Sequence, residues 1–357
     1  MKQQPIADLY SDYLLASFGA TTATGLSQLL EGEVSHDQVT RYLAGTKKTA
    51  SDLWRTVKSF VRDVQSEAGV LILDDSIEEK PYTDENDIVC WHYDHSKDRL
   101  LKGINFLTAL YSSQDVSVPV GFPLVAKTEK YLDAKTQKEK RRSPVSKNAV
   151  CHELIKQAVR NRIPFRFVLF DVWFASAETM VFIKQKQHRD FICPLKTNRK
   201  VALSQADKQP GRYVRVDTLE LEAPATREIY LEGVDFPLVL VKQVFTNEDG
   251  SRGLRYLVSS DPTVSFDAIT TTYHRRWGVE CYHKSLKQNV SLAKSPTQTV
   301  TTQTNHFFAA LCGLSKLEKL KMKTHLNHFT LKSKLYLNAL HSAFATLRTL
   351  TTAQVPA

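Results

Sequence analysis

The chain has 357 residues, 42% of them hydrophobic, and its 48 lysines and arginines outnumber its 38 aspartates and glutamates to leave a formal charge of +10. That length and apolar content support a packed interior, and the positive balance favours an anionic partner, either nucleic acid or an acidic membrane surface. No run of about 18 apolar residues is present and the Met1-Lys2-Gln3-Gln4 start lacks the apolar core of a secretory signal, which argues against membrane and export readings and leaves DNA as the better partner.

Residues 1–66 read as helical and differ in character from the rest of the chain. Within them, the stretch from Thr24 to Leu43 predicts helix, tight turn and helix, with Gly32 at the break and Ser35 as the N-cap of the second helix. His36, Gln38, Thr40 and Arg41 would then be available to a DNA groove, and an ordinary helical hairpin packed on the core is the competing reading.

From about residue 68 the pattern turns to strands. Gly69-Val-Leu-Ile-Leu-Asp74-Asp75-Ser76 is an apolar run that stops at acids, which predicts a buried strand with carboxylates at its end. Asp87–Asp94 and Gly103–Tyr111 predict a hairpin across a polar turn through His95-Ser96-Lys97-Asp98, and a further strand lies within Val116–Val125. Lys127–Arg142 reads as a polar, basic linker whose Lys138, Lys140, Arg141 and Arg142 are candidates for DNA phosphates. Cys151, Leu154, Ile155, Ala158 and Val159 recur at helical spacing, so 146–162 predicts a helix packed on the sheet. It leads into a second acid-terminated run, Phe165-Arg-Phe-Val-Leu-Phe-Asp171. A helix over 175–185 and a strand over 190–196 continue the core. Residues 197–262 then predict short strands broken by turns such as Asn247-Glu248-Asp249-Gly250, a β-rich insertion.

The most informative stretch comes next. Tyr273, Arg276, Glu280 and Lys287 stand at offsets of 0, 3, 7 and 14, which on one continuous helix places them within an arc of about 60°. A carboxylate in a cationic stripe suits a polyanion held by Arg and Lys, with the glutamate free for a metal ion; a solvated face of i, i+4 ion pairs is the bland alternative. Lys284 joins the same group as a candidate DNA contact. Beyond Leu314, the apolar residues Leu317, Leu320, Leu331, Leu335, Leu337, Leu340 and Phe344 predict a helical tail used for core packing or for a dimer contact, with His325, His328 and His341 at the surface. Cys90, Cys151, Cys193, Cys281 and Cys312 form no Cys-x-x-Cys pair and read as reduced thiols, Cys281 as a helix-packing residue. Trp173 and Trp277 read as core residues, or as surfaces for stacking on a base.

Taken together, these residues resemble the DDE transposases of bacterial insertion sequences, whose Tyr-x2-Arg-x3-Glu-x6-Lys signature is matched by Tyr273, Arg276, Glu280 and Lys287. The resemblance covers roughly residues 68–314. It implies an α/β fold with an RNase H-like mixed sheet flanked by helices, a β-rich insertion (197–262) before the catalytic helix, a core made of 67–196 and 263–314, a helical N-terminal domain (1–66) and a helical tail (315–357). It also implies catalysis and metal ligation by Asp75, Asp171 and Glu280 with two Mg²⁺ ions, Mn²⁺ serving as a substitute. Asp75 is preferred over Asp74 because it precedes Ser76, where the family has Ser or Thr, and because strand alternation turns the two acids to opposite faces. Double-stranded DNA is the implied partner, through Tyr273, Arg276, Lys284, Lys287, Arg41, Arg141 and Arg142, with a homodimer in the synaptic complex and a cytoplasmic, nucleoid-associated place in a bacterium. Competing readings keep the fold and change the outcome: a nuclease without strand transfer, or a silent DNA-binding repressor.

Overall fold

A computed structural model describes residues 4–94, 97–246 and 249–352. Met1–Gln3, the turn residues His95, Ser96, Asn247 and Glu248, and the last part of the expected tail, 353–357, lie outside the described residues.

Four helices open the chain: α1 (Ile6–Ala16), α2 (Ala23–Leu29), α3 (His36–Ala44) and α4 (Ala50–Val64). Ser35 caps α3 in a capping box with Gln38, and Gly32 takes φ +84°, the left-handed value that the break between α2 and α3 requires. Leu14, Leu26, Val39, Leu43, Leu53 and Val61 are buried in the same apolar cluster as the sheet, so these helices share its core.

The strands come next as β1 (Val70–Glu79), β2 (Val89–Asp94), β3 (Arg99–Ser113), β4 (Val116–Gly121), β5 (Glu129–Leu132) and β6 (Glu139–Arg142). After α5 (Lys147–Arg160) come β7 (Phe167–Leu169), α6 (Ala177–Val181) with a π turn over Phe182–Lys186, β8 (Asp190–Leu195), β9 (Lys200–Ala202), α7 (Gln205–Lys208), β10 (Val214–Arg215), β11 (Thr226–Leu231), β12 (Leu238–Thr246) and β13 (Arg252–Ser259). The helices α8 (Phe266–His274), α9 (Trp277–Asn289), α10 (Val300–Thr324) and α11 (His328–Thr352) complete the chain.

One mixed sheet runs β10-β9-β11-β12-β13-β8-β7-β1-β3-β2, with β4 added to β3. Its centre is parallel (β1 with β7, β7 with β8) and its flanks are antiparallel. Both faces of the central strands are covered, which explains why Val70–Leu73 and Phe167–Leu169 read as unbroken apolar runs. This is the RNase H-like arrangement.

The residues expected as a β-rich insertion extend the main sheet at one edge, where Tyr256–Ser259 of β13 pair with Ile192–Leu195 of β8. Two details differ from the sequence reading. Lys127–Arg142 is not a plain linker; β5 and β6 pair as a separate two-stranded hairpin with cross-strand ion pairs. The tail does not pack as expected: α11 has no buried residue, Leu335, Leu337, Leu340 and Phe344 are exposed, and the helix meets the body through Leu331, through Lys332 on the Leu15 and Ser17 carbonyls, and through Tyr336 on the Phe18 ring. Among the described residues, no helix is long and apolar enough to cross a membrane.

Candidate active site

Asp74 and Asp75 lie within β1, not at its end, because β3 pairs with β1 along its whole length, from Val70 opposite Ser112 to Glu79 opposite Gly103. The parallel neighbour β7 stops sooner, at Leu169 opposite Ile72. The sheet is therefore open on one side of the two acids, and Asp171, two residues past β7, comes down into that opening. Asp171 is fixed by an Asx turn in which the Trp173 N–H donates to its Oδ1 at 2.9 Å.

Alternation along β1 sends the two neighbouring acids to opposite faces, and the partners show which is which. Asp74 faces α9: Arg276 donates to its Oδ2 at 3.2 Å and, through its other terminal nitrogen, to Glu280 Oε1 at 2.7 Å. Asp75 faces α5: Lys147 reaches its Oδ2 at 2.6 Å, and the Asn105 amide donates to the same oxygen at 2.9 Å. The expectation that alternation turns Asp74 to the far face is corrected: in the structure Asp74 is the acid on Glu280's side and Asp75 the one turned toward α5. The sequence could show that the two diverge, but not which face α9 would cover. Lys147 and Asn105 carried no sequence signal of their own beyond Ser146 capping α5 ahead of Lys147.

The four signature residues do not share one helix. The chain breaks at Arg275–Arg276, where N–H bonds shorten to the third preceding carbonyl (Arg275 to Thr272, Arg276 to Tyr273, Gly278 to Arg275). Arg275 holds the turn by donating to the carbonyls of Ala68 at 2.8 Å and Ser112 at 2.7 Å. Tyr273 therefore ends α8, buried, with its hydroxyl donating to the Phe170 carbonyl at 3.4 Å and its ring beneath the guanidinium groups of Arg255 and Arg276. Lys287 is drawn in to Ser76 Oγ at 2.9 Å and the Ile77 carbonyl at 2.7 Å, tying α9 to β1. Lys284 lies over the Phe329 ring.

The remaining candidates sit further out. Arg41 is on the exposed face of α3, where it donates to the Asp37 carbonyl. Arg141 pairs with Asp87, and Arg142 with Glu129 on the β5–β6 hairpin. Of the two readings of Trp173 (57% exposed) and Trp277 (60%), the core one fails, and Cys281 is exposed where it was expected to pack. All five cysteines are free. His328, expected as an unpartnered surface residue, bonds Glu318 at 2.6 Å and Ser285 at 2.9 Å.

Burial dominates the electrostatics of these acids. Burial pushes the Asp74 carboxyl up to about 7; the Arg276 cation opposes this, and the charges of Asp171 and Asp75 add to it. Burial likewise raises Asp171, against the N–H of Trp173 and the Arg276 charge. Burial holds His283, beneath the site on α9, neutral with its ionisation lowered to about 3, its Nε2 3.1 Å from Thr108 Oγ1. Carboxylate oxygens are the donor type that Mg²⁺ takes. Among the described residues, however, no three His, Cys, Asp or Glu side chains converge closely enough to hold a metal ion. Arg276 stands between Asp74 and Glu280, and Lys147 occupies Asp75.

Comparison with known proteins gives two family matches: a DDE superfamily endonuclease over residues 2–225, and a transposase DDE domain over residues 144–315. No curated protein matches the chain. The second match takes in Asp171 and Glu280, and the first takes in Asp74 and Asp75. Since the first extends over well more than half of the sequence, the acid-bearing sheet and helix α9 are those of a chain that belongs to the DDE superfamily of endonucleases, with a transposase DDE domain acting on DNA.

Proposed function

We propose that this chain cleaves DNA at the ends of the element that encodes it and joins the freed 3′-hydroxyl to target DNA. The observation that carries the reading is the Arg276 bridge that joins Asp74 of β1 to Glu280 of α9 beside the strand after which Asp171 follows, in a chain of this family. Asp75, Asp171 and Glu280 are the proposed metal ligands, and Asp74, which shares Arg276 with Glu280, joins them. Bound Mg²⁺, or Mn²⁺ in its place, would polarise the attacking and departing oxygens of an in-line phosphoryl displacement.

The chain's own groups account for the rest. Arg276 is a bidentate donor that can exchange its carboxylates for a phosphate, and Tyr273 supports it from below. Lys287 fixes the distance between α9 and β1. Lys284, Arg41, Arg141 and Arg142 add phosphate contacts that contribute affinity without sequence choice. Two DNA ends require two active sites, so we propose a homodimer in the synaptic complex, working on the bacterial nucleoid.

The test is cleavage and joining on a labelled duplex carrying the element's ends, with and without Mg²⁺, for wild type and for Asp74→Asn, Asp75→Asn, Asp171→Asn and Glu280→Gln. Cut and joined product from wild type, lost in Asp171→Asn and Glu280→Gln with binding retained, supports the proposal. The two β1 variants separate the roles of the adjacent acids. Cut product without joining makes the chain a nuclease, and binding with neither makes it a repressor.

A further inference from the structure

Beside the carboxylates lies a cleft of about 590 Å³, walled by Asp171, Pro194–Asn198, Leu254–Tyr256, Tyr273 and Arg276. Its far wall is built by the sheet continuation. Tyr256 of β13 pairs with Leu195 of β8, and the next residues in register are Arg255 and Lys196. One cation within β13 and one just past the end of β8 thus stand side by side across the sheet, and like charges so placed repel. Neither Lys196 nor Arg255 has a carboxylate within ion-pair distance among the described residues; both instead lie against aromatic rings. The Arg255 guanidinium is 5.2 Å from the Phe245 ring centre and 5.5 Å from that of Tyr273, and Lys196 Nζ is 5.5 Å from that of Trp173. This contrasts with Arg276 and Lys147, whose charges are spent on the acids.

We propose that this cleft seats one strand of the DNA, with Lys196 and Arg255 on its phosphates and the exposed face of Trp173 against a base. Three features select a polynucleotide strand over a free anion. The cleft is open to solvent beside the end of β8, its cations lie against aromatic rings, and a large exposed aromatic lies beside them; base stacking on such a ring and cationic tracking of the backbone are the two components of single-strand binding. Asp171 forms the opposite wall, so a strand held here passes the carboxylates. The inference rests on the reading of the chain as a DNA-cleaving enzyme and adds to it Lys196, Arg255 and Trp173 as positioning residues.

The experiment is fluorescence anisotropy in EDTA with a labelled duplex of the element's end carrying a short single-stranded extension, titrated across salt concentrations. Proteins are wild type, Lys196→Ala, Arg255→Ala, the double variant, Arg255→Lys, and Lys323→Ala as a control for loss of one distant surface charge. Each single alanine variant is expected to lower the slope of log affinity against log salt by about 0.7–0.9, and the double variant by about twice that, as expected for one and two lost phosphate contacts. Lys323→Ala should leave the slope unchanged, and Arg255→Lys should keep most of it. With 2-aminopurine in the extension, wild type should quench the fluorescence and Trp173→Ala should not. Slopes equal to wild type in both cleft variants would overturn the inference while leaving the proposed function standing. A wild-type protein that binds no DNA would overturn both, and tighter competition by inorganic phosphate than by an oligonucleotide would reassign the cleft to a free anion.

Discussion

His306 shows how one side chain couples the N-terminal helices to the rest of the molecule. It is buried, takes a hydrogen bond at Nδ1 from the Tyr10 hydroxyl at 3.0 Å, and donates from Nε2 to the Leu292 carbonyl at 3.1 Å. Burial lowers its ionisation from the ordinary 6.5 to about 4. An unfolded chain would therefore hold a proton between about pH 6.5 and 4 that the folded chain rejects, so the stabilisation is complete above 6.5 and is lost as pH falls toward 4. His92 and His283, lowered to about 3 by burial, act in the same direction. Urea midpoints measured from pH 7.5 to 4 should drop in this window, and His306→Gln should show a shallower drop than wild type. Gly103 presents a different constraint: a Cβ there would come within 2.2 Å of the Glu78 carbonyl oxygen on the paired strand. Gly103→Ala should cost on the order of 2–4 kcal/mol in chemical unfolding, since backbone atoms on both sides must move. At this scale the acids themselves are legible in the sequence, since apolar runs ending in Asp and the spacing around Glu280 announce them. Which of Asp74 and Asp75 meets Glu280 is not, because that depends on the helix laid across the strand.

Among the elements, those that form as expected carry strong local signals: the Ser35 cap and the β2–β3 hairpin. Sequence pattern and structure part where tertiary contacts decide. Four residues at helical spacing imply a single helix from Tyr273 to Lys287, but Arg275 reaches two carbonyls on other segments and bends the chain there. Arg275→Ala should lower stability by roughly 2–3 kcal/mol, through loss of two charged hydrogen bonds to carbonyls, and should reduce activity by misplacing Glu280. Helix α11 departs for the opposite reason: its apolar pattern is real, but its first turns meet the body mainly through polar and aromatic contacts. Glu318 meets His328, His328 meets Ser285 of α9, Lys332 reaches the Leu15 and Ser17 carbonyls, and Tyr336 meets Phe18. Phe344→Ser should accordingly leave the Tm of the monomer within about 1 °C, since an exposed substitution usually changes stability by under about 0.5 kcal/mol.

For the molecule as a whole, the fold class is legible because alternating strand and helix signals with two buried parallel runs admit few topologies. The continuity of the sheet is not. Short strands after Thr197 look like a separate lobe when pairing partners are unknown, and only the β13–β8 register joins them to the centre. The bridge that Arg276 makes between Asp74 and Glu280 also bears on the order in which the complex assembles. A guanidinium and a divalent cation compete for the same oxygens, whereas a phosphodiester competes with those oxygens for the guanidinium. Occupancy by nucleic acid should then strengthen cation uptake, and by reciprocity cation uptake should strengthen hold on nucleic acid. Calorimetric titration with Mn²⁺ should show weak uptake by the protein alone, tighter uptake with an uncleavable duplex present, and a smaller difference between the two in Arg276→Ala. With the metal ligands as proposed, a nuclease wired in this manner would stay unarmed until nucleic acid had drawn Arg276 off its carboxylates.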